Sequence, residues 1–205
     1  MAAHGPLRTL DERLGRPPLP LGLAHVLADL GDTAVALPVL VAAMAWSVLR
    51  SRRWVPVAAA GLAMAAVPAV VVPLKTWIAR PAPPGPLAGV AHDGFFPSGH
   101  AATAAVAYGA AALLVFRTWR WMPVYALLNA GVGLGLVRCG YHWPLDVLGA
   151  WCLAGVLLSG AARWVARKPP AVAVSCRNRP RTGPWREARG SGDRRSRPRG
   201  SSPTA

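Results

Sequence analysis

Phe95-Phe96-Pro97-Ser98-Gly99-His100-Ala101-Ala102-Thr103 is a Pro-Ser-Gly-His turn that runs straight into an apolar, alanine-rich stretch. The pattern predicts a helix opening at Ser98. Backbone N–H groups at such an opening, together with the positive end of the helix dipole, favour an anion such as a phosphate. The Ser98 hydroxyl adds a further donor. His100, in the first turn, is positioned to exchange a proton with whatever that phosphate is attached to.

The helix that follows is one of five apolar segments long enough, or nearly so, for a bilayer crossing of about 20 helical residues. They run over Leu23–Leu49, Trp54–Ile78, Ser98–Phe116, Met122–Val137 and Trp143–Val165. The chain is 53% hydrophobic and only 15% charged, whereas a soluble domain carries roughly a quarter charged residues. Mean hydropathy is +0.32. These features predict an all-α polytopic membrane bundle of about five transmembrane helices. Prolines at 38, 56, 68 and 73 fall in or near the first two segments, which membrane helices tolerate. Gly131, Gly133 and Gly135 in the short fourth segment predict close helix packing.

Charge is distributed unevenly. Of the 23 Lys and Arg, twelve lie between Arg163 and Arg199, so the net charge of +15 describes a tail. Residues 168–205 are rich in Arg, Gly, Ser and Pro, and are expected to be disordered. They lack a folded platform, and no nucleic-acid partner is expected. Arg50-Ser51-Arg52-Arg53, Arg117-Thr118-Trp119-Arg120 and the tail fall on one side if the spans alternate. The excess of positive charge makes that side cytoplasmic. The N-terminus, the loop after Lys75 and the Arg138–His142 turn would then share the extracytoplasmic face of a multi-pass cell-membrane protein. Residues 1–20 contain Asp11, Glu12, Pro17, Pro18 and Pro20 and lack the apolar core of a cleavable signal. Within them, Leu7–Arg16 is expected to form a short amphipathic helix at the membrane surface. The domain reading is therefore an interfacial segment (1–20), a transmembrane domain (21–167) and a cytoplasmic tail (168–205).

A second anchor is Arg138-Cys139-Gly140-Tyr141-His142-Trp143-Pro144-Leu145-Asp146. On a helix His142 and Asp146 share one face. A carboxylate there can accept one imidazole N–H, fix the tautomer and leave the other nitrogen nucleophilic. An acid at membrane depth is a functional residue by default. The third piece is Lys75-Thr76-Trp77-Ile78-Ala79-Arg80-Pro81, closing the second span. Lys75 and Arg80 can neutralise a phosphate dianion, Arg with two parallel hydrogen bonds; on their own they read equally as snorkelling anchors. Cys139, Cys152 and Cys176 match neither a zinc site nor a disulfide framework, and Cys152 is expected to pack within its apolar run. The loop from Pro81 to Phe96, with His92 and Asp93, is expected to line the entrance.

In these three regions, taken in order, the chain resembles the type-2 phosphatidic acid phosphatases, or lipid phosphate phosphatases, which share their fold core with vanadium haloperoxidases. The resemblance spans about Leu23 to Trp164. It implies that His142 is a nucleophile forming a phosphohistidine, that Asp146 orients it, and that His100 protonates the leaving group and then activates water. Ser98, Gly99 and Lys75 would hold the phosphoryl oxygens. The family needs no metal or other cofactor. Its substrates imply a lipid phosphate or isoprenoid diphosphate, handled at the extracytoplasmic face.

Two positions depart from the pattern. The family's first signature places Arg-Pro where this chain has Ala82-Pro83, and its third places Arg where this chain has Leu136. In each case an arginine stands two positions away, at Arg80 and Arg138. Either these take over phosphate binding from shifted positions, or charge stabilisation is weaker. A lost donor of this kind typically costs about 3 kcal/mol, or roughly a hundredfold in rate. The alternative function is accordingly a catalytically weak or inactive relative that binds anionic lipid headgroups. Family members in membranes commonly have six spans; five are counted here. A haloperoxidase reading conflicts with those spans, since the haloperoxidases are soluble.

Overall fold

The computed structural model describes residues 6–89, 94–116 and 118–167. The Arg-rich tail with Cys176, the pair His92 and Asp93, and Arg117 lie outside the described residues. Helices are α1 (Pro6–Leu14), α2 (Leu21–Asp29), α3 (Thr33–Ser51), α4 (Trp54–Ile78), α5 (Gly99–Val115), α6 (Met122–Arg138) and α7 (Pro144–Arg167), with a 3₁₀ turn at Trp119–Trp121 before α6. The described residues contain no strand.

By length and composition α3, α4 and α7 can each cross a membrane, while α5 and α6 are shorter apolar helices of 17 residues. Trp54 and Trp77, at the two ends of α4, are 67% and 81% exposed. Outward-facing tryptophans at both ends of an apolar helix are what two membrane–water boundaries select.

α5 is the axis of the bundle and packs against α3, α4, α6 and α7. Ala101, Ala102, Ala104, Ala105, Ala107 and Ala110 are all buried. A helix apolar on every side is buried on every side, and alanine lets several neighbours approach at once. Small residues serve α6 in the same way. A Cβ on Gly133 would come within 2.8 Å of Val147 on α7, and one on Gly135 within 2.6 Å of the Ala24 carbonyl oxygen on α2.

The first apolar segment, read as one span over Leu23–Leu49, is broken. α2 stops at Asp29 and α3 starts at Thr33. The cause is local polar chemistry. The Asp32 side chain accepts the Ala34 N–H at 2.8 Å and caps α3, and the Tyr108 hydroxyl donates to the Leu30 carbonyl at 2.5 Å. Only α3 keeps spanning length, so α2 becomes a short helix laid against α6. Cys152 also departs from expectation: it is exposed on α7, not packed in the interior.

Candidate active site

Three loops converge at one end of the bundle. α4 terminates because Ala79 adopts a left-handed φ of 47°, which costs a residue with a Cβ roughly 1–2 kcal/mol and turns the chain into Arg80 and Pro81. The loop comes back at Phe95, whose N–H donates to the Arg80 carbonyl at 3.1 Å. Gly94 makes the return possible. Its φ is +128°, and a Cβ there would lie 2.2 Å from the Lys75 carbonyl oxygen.

Ser98 then starts α5. Its hydroxyl accepts the Ala101 N–H at 3.2 Å, an N-cap interaction. The Ser98 N–H donates to the backbone carbonyl of Asp146 at 3.1 Å. The two histidine-bearing loops are therefore joined by main chain. That bond uses the Ser98 N–H within the protein, so its contribution to an anion site passes to Gly99, beside whose Cα there is open space. His100 follows with its side chain half exposed and Nε2 3.8 Å from Asp32 Oδ2.

His142 sits in the turn between α6 and α7 with its side chain only 8% exposed. Its Nδ1 is 3.5 Å from Asp146 Oδ2 and makes no hydrogen bond. Phe95 closes on the imidazole edge-on, ring centroids 6.0 Å apart. Asp146 is fully buried, and its position follows from the start of α7. With Pro144 as the first helical residue, which needs no N–H partner, the carboxylate of Asp146 reaches back and accepts the Trp143 N–H at 3.0 Å. This is the reciprocal arm of a capping box. Its other oxygen takes Nη1 of Arg80.

Arg80 is thereby brought to His142 and Asp146, but in company the sequence did not announce. Its second terminal nitrogen pairs with Asp11 of α1, and its guanidinium lies 5.7 Å from the centre of the Trp143 ring. Asp11 is 1% exposed and also accepts the Leu145 N–H at 2.9 Å. An Asp in an Arg- and Glu-bearing amphipathic helix carries no local signal of such a role. Asp32, beside His100, was likewise missed; in the structure it caps α3.

Lys75 lies half-buried in the last turn of α4. Arg138 Nε donates to the Leu19 carbonyl at 2.7 Å, which ties it to the segment before α2. Leu136, in the position where a signature arginine was expected, is 1% exposed and belongs to the hydrophobic core. Cys139 is buried with Sγ 3.8 Å from His25 Nδ1; burial raises its thiol above the ordinary range despite Arg138, so it is a poor nucleophile. Among the described residues no group of three His, Cys, Asp or Glu converges as a metal site.

A chamber of about 260 Å³ opens beside His142 and is walled by Asp11, Arg16, Pro84 and Trp143 among others. A larger apolar groove of about 780 Å³, lined by Trp46, Tyr108, Trp121 and Tyr125, touches none of the site residues. Chemically, the site offers a buried imidazole oriented toward a carboxylate, a second and accessible imidazole, an open helix N-terminus and nearby cations. That set suits phosphoryl transfer.

The sequence profile of the PAP2 superfamily matches residues 56–170. Among solved structures, the chain is similar to the crystal structure of a transmembrane PAP2 type phosphatidylglycerolphosphate phosphatase from Bacillus subtilis, with 22% identity and a TM-score of 0.69. The alignment covers 82% of this chain and 90% of that one. At that identity the likeness concerns the fold. No curated protein matches the chain.

Proposed function

The chain belongs to the PAP2 superfamily, and from that premise we propose that it is a membrane phosphatase that hydrolyses lipid phosphate monoesters or polyprenyl diphosphates through a phosphohistidine on His142. One observation carries the reading. His142 is buried with Nδ1 facing Asp146 at 3.5 Å, while the Ser98 N–H to Asp146 carbonyl bond of 3.1 Å locks the second histidine loop to the same point.

In the first step His142 Nε2 attacks phosphorus, a P–N bond forms and the P–O bond to the leaving group breaks. Asp146 holds the Nδ1 proton and stabilises the imidazolium-like charge that develops. His100 donates its proton to the departing alkoxide or phosphate. In the second step the now neutral His100 takes a proton from water, the hydroxide attacks phosphorus, and the P–N bond breaks to give inorganic phosphate. The Gly99 N–H at the helix opening, with Lys75 and Arg80, opposes charge on the phosphoryl oxygens. Arg138, held by Leu19, would serve from the periphery.

The apolar helices put the reaction at a membrane, which makes a lipid the natural carrier of the phosphate. Phosphatidylglycerolphosphate, the substrate in the name of the similar Bacillus subtilis structure, joins phosphatidic acid and undecaprenyl diphosphate as candidates. Alternation of the spans and the positions of the basic loops support an extracytoplasmic active site with the tail in the cytoplasm. The mechanism asks for no metal.

A catalytically weak headgroup binder is the second reading. It is favoured by the placement of the cations: Leu136 is in the core, Arg138 is bonded to Leu19, and Arg80 is paired with two acids. The deciding experiment is phosphate release from these three lipids by purified protein in detergent with EDTA, beside His142→Ala. Release by the wild type that vanishes in the variant, and a trapped acid-labile phosphoprotein, support the enzyme. Folded wild type that binds the lipids but releases nothing establishes the binder.

A further inference from the structure

Resting on the phosphatase reading, we propose that Asp11 is a positioning residue of the active site, which restrains Arg80 and thereby sets how strongly that cation holds phosphate. Asp11 lies outside every signature region and comes from α1. Its two oxygens do different jobs: Oδ1 accepts the Leu145 N–H at 2.9 Å, and Oδ2 takes Nη2 of Arg80.

The first contact supplies one of the partners that the opening turn of α7 lacks. It fixes the end of α7 that carries Asp146. The second makes Arg80 a bridge between two carboxylates whose side chains are both fully buried, while its own is 16% exposed. Two buried negative charges thus face one guanidinium. Arg80 is over-neutralised before any phosphate arrives, and its orientation is set by a clamp on both terminal nitrogens.

A phosphate approaching His142 meets an arginine whose charge is already shared. Charge-assisted pairs of this kind are strong and directional. The clamp therefore trades phosphate affinity for a defined geometry, and positioning of the reacting groups is, with electrostatic stabilisation, one of the two main sources of rate in phosphoryl transfer. Asp11 also walls the chamber beside His142, so removal of its charge is felt at the reacting centre. A contribution to fold stability alone would leave phosphate affinity where it is.

The test compares full-length wild type with Asp11→Asn and Asp11→Glu in detergent. The readouts are kcat on phosphatidic acid per folded molecule and the dissociation constant for inorganic phosphate by calorimetry. Asparagine keeps an oxygen for Leu145 but sets an amide against Arg80. We expect kcat to fall about tenfold or more while inorganic phosphate binds about threefold tighter or better, with Asp11→Glu closer to wild type in both. Phosphate affinity within twofold of wild type, whatever happens to kcat, overturns the proposal.

Calorimetry needs no turnover. An inactive wild type would therefore sink the phosphatase reading while leaving the Asp11 assignment to be decided by phosphate binding. If Asp11→Asn fails to fold, Asp11→Asn/Arg80→Gln is measured. Phosphate affinity within twofold of Arg80→Gln alone shows that Asp11 acts on phosphate through Arg80; a larger difference overturns the assignment.

Discussion

Asp146→Asn isolates the residue on which the site converges. One carboxylate oxygen takes Nη1 of Arg80; the other accepts the Trp143 N–H at 3.0 Å and lies 3.5 Å from His142 Nδ1. Every one of those partners presents, or in the proposed tautomer presents, a hydrogen. Asparagine keeps the shape but has only one oxygen, so its amide must set a donor against a donor, either at Arg80 or at Trp143 and His142. Losing one partner of a buried ion pair costs about 3–5 kcal/mol. Arg80 still has Asp11, so the lower end applies and a loss of about 3 kcal/mol is expected.

Activity should fall much further than stability. Removing the carboxylate that fixes a catalytic imidazole's tautomer costs up to about 10⁴ in kcat in the serine-protease triad. A drop of about 10²–10⁴ is expected here. The assay is phosphate release from phosphatidic acid in detergent, per folded molecule, with a parallel thermal unfolding curve. A variant that stays folded and keeps more than a tenth of wild-type kcat would refute the role assigned to Asp146, and with it the orientation argument for His142.

Further outcomes can be checked cheaply. Gly135→Ala drives a methyl against backbone atoms of Ala24 and Ala28 at 2.6 and 2.7 Å; backbone cannot yield, so about 1–3 kcal/mol of unfolding stability should be lost, read by thermal unfolding in detergent. Gly94→Ala meets the Lys75 carbonyl and a disfavoured φ of +128° together. Phosphate release should fall at least tenfold as the Phe95–Ser98 turn is displaced, since misplaced reacting groups cost up to about 10². Ser98→Ala removes the cap on Ala101 N–H and should cost about 1 kcal/mol in the same unfolding assay, with activity reduced but measurable. Truncation after Pro170, where the superfamily match ends, should leave phosphate release within twofold of the full chain.

By itself the sequence determined the bundle class and the chemistry-bearing loops. Long apolar runs, Ser98 before the Ala-rich stretch, and Pro144 with Asp146 at the head of α7 act through neighbours within one or two turns, and such interactions survive in a linear reading. It also showed where arginines depart from the family pattern. The break at Gly31-Asp32-Thr33 escaped that reading, because the apolar residues on both sides run together as one span. Only the tertiary structure decided what those arginines do. Arg80 meets Asp11 across 69 positions, and Asp11 meets Leu145 across 134. Neither contact has a periodicity or spacing to betray it. A buried charge takes its partner from whatever the folded backbone brings within reach, because leaving it unpaired costs too much; that choice is made in space, after the helices have packed.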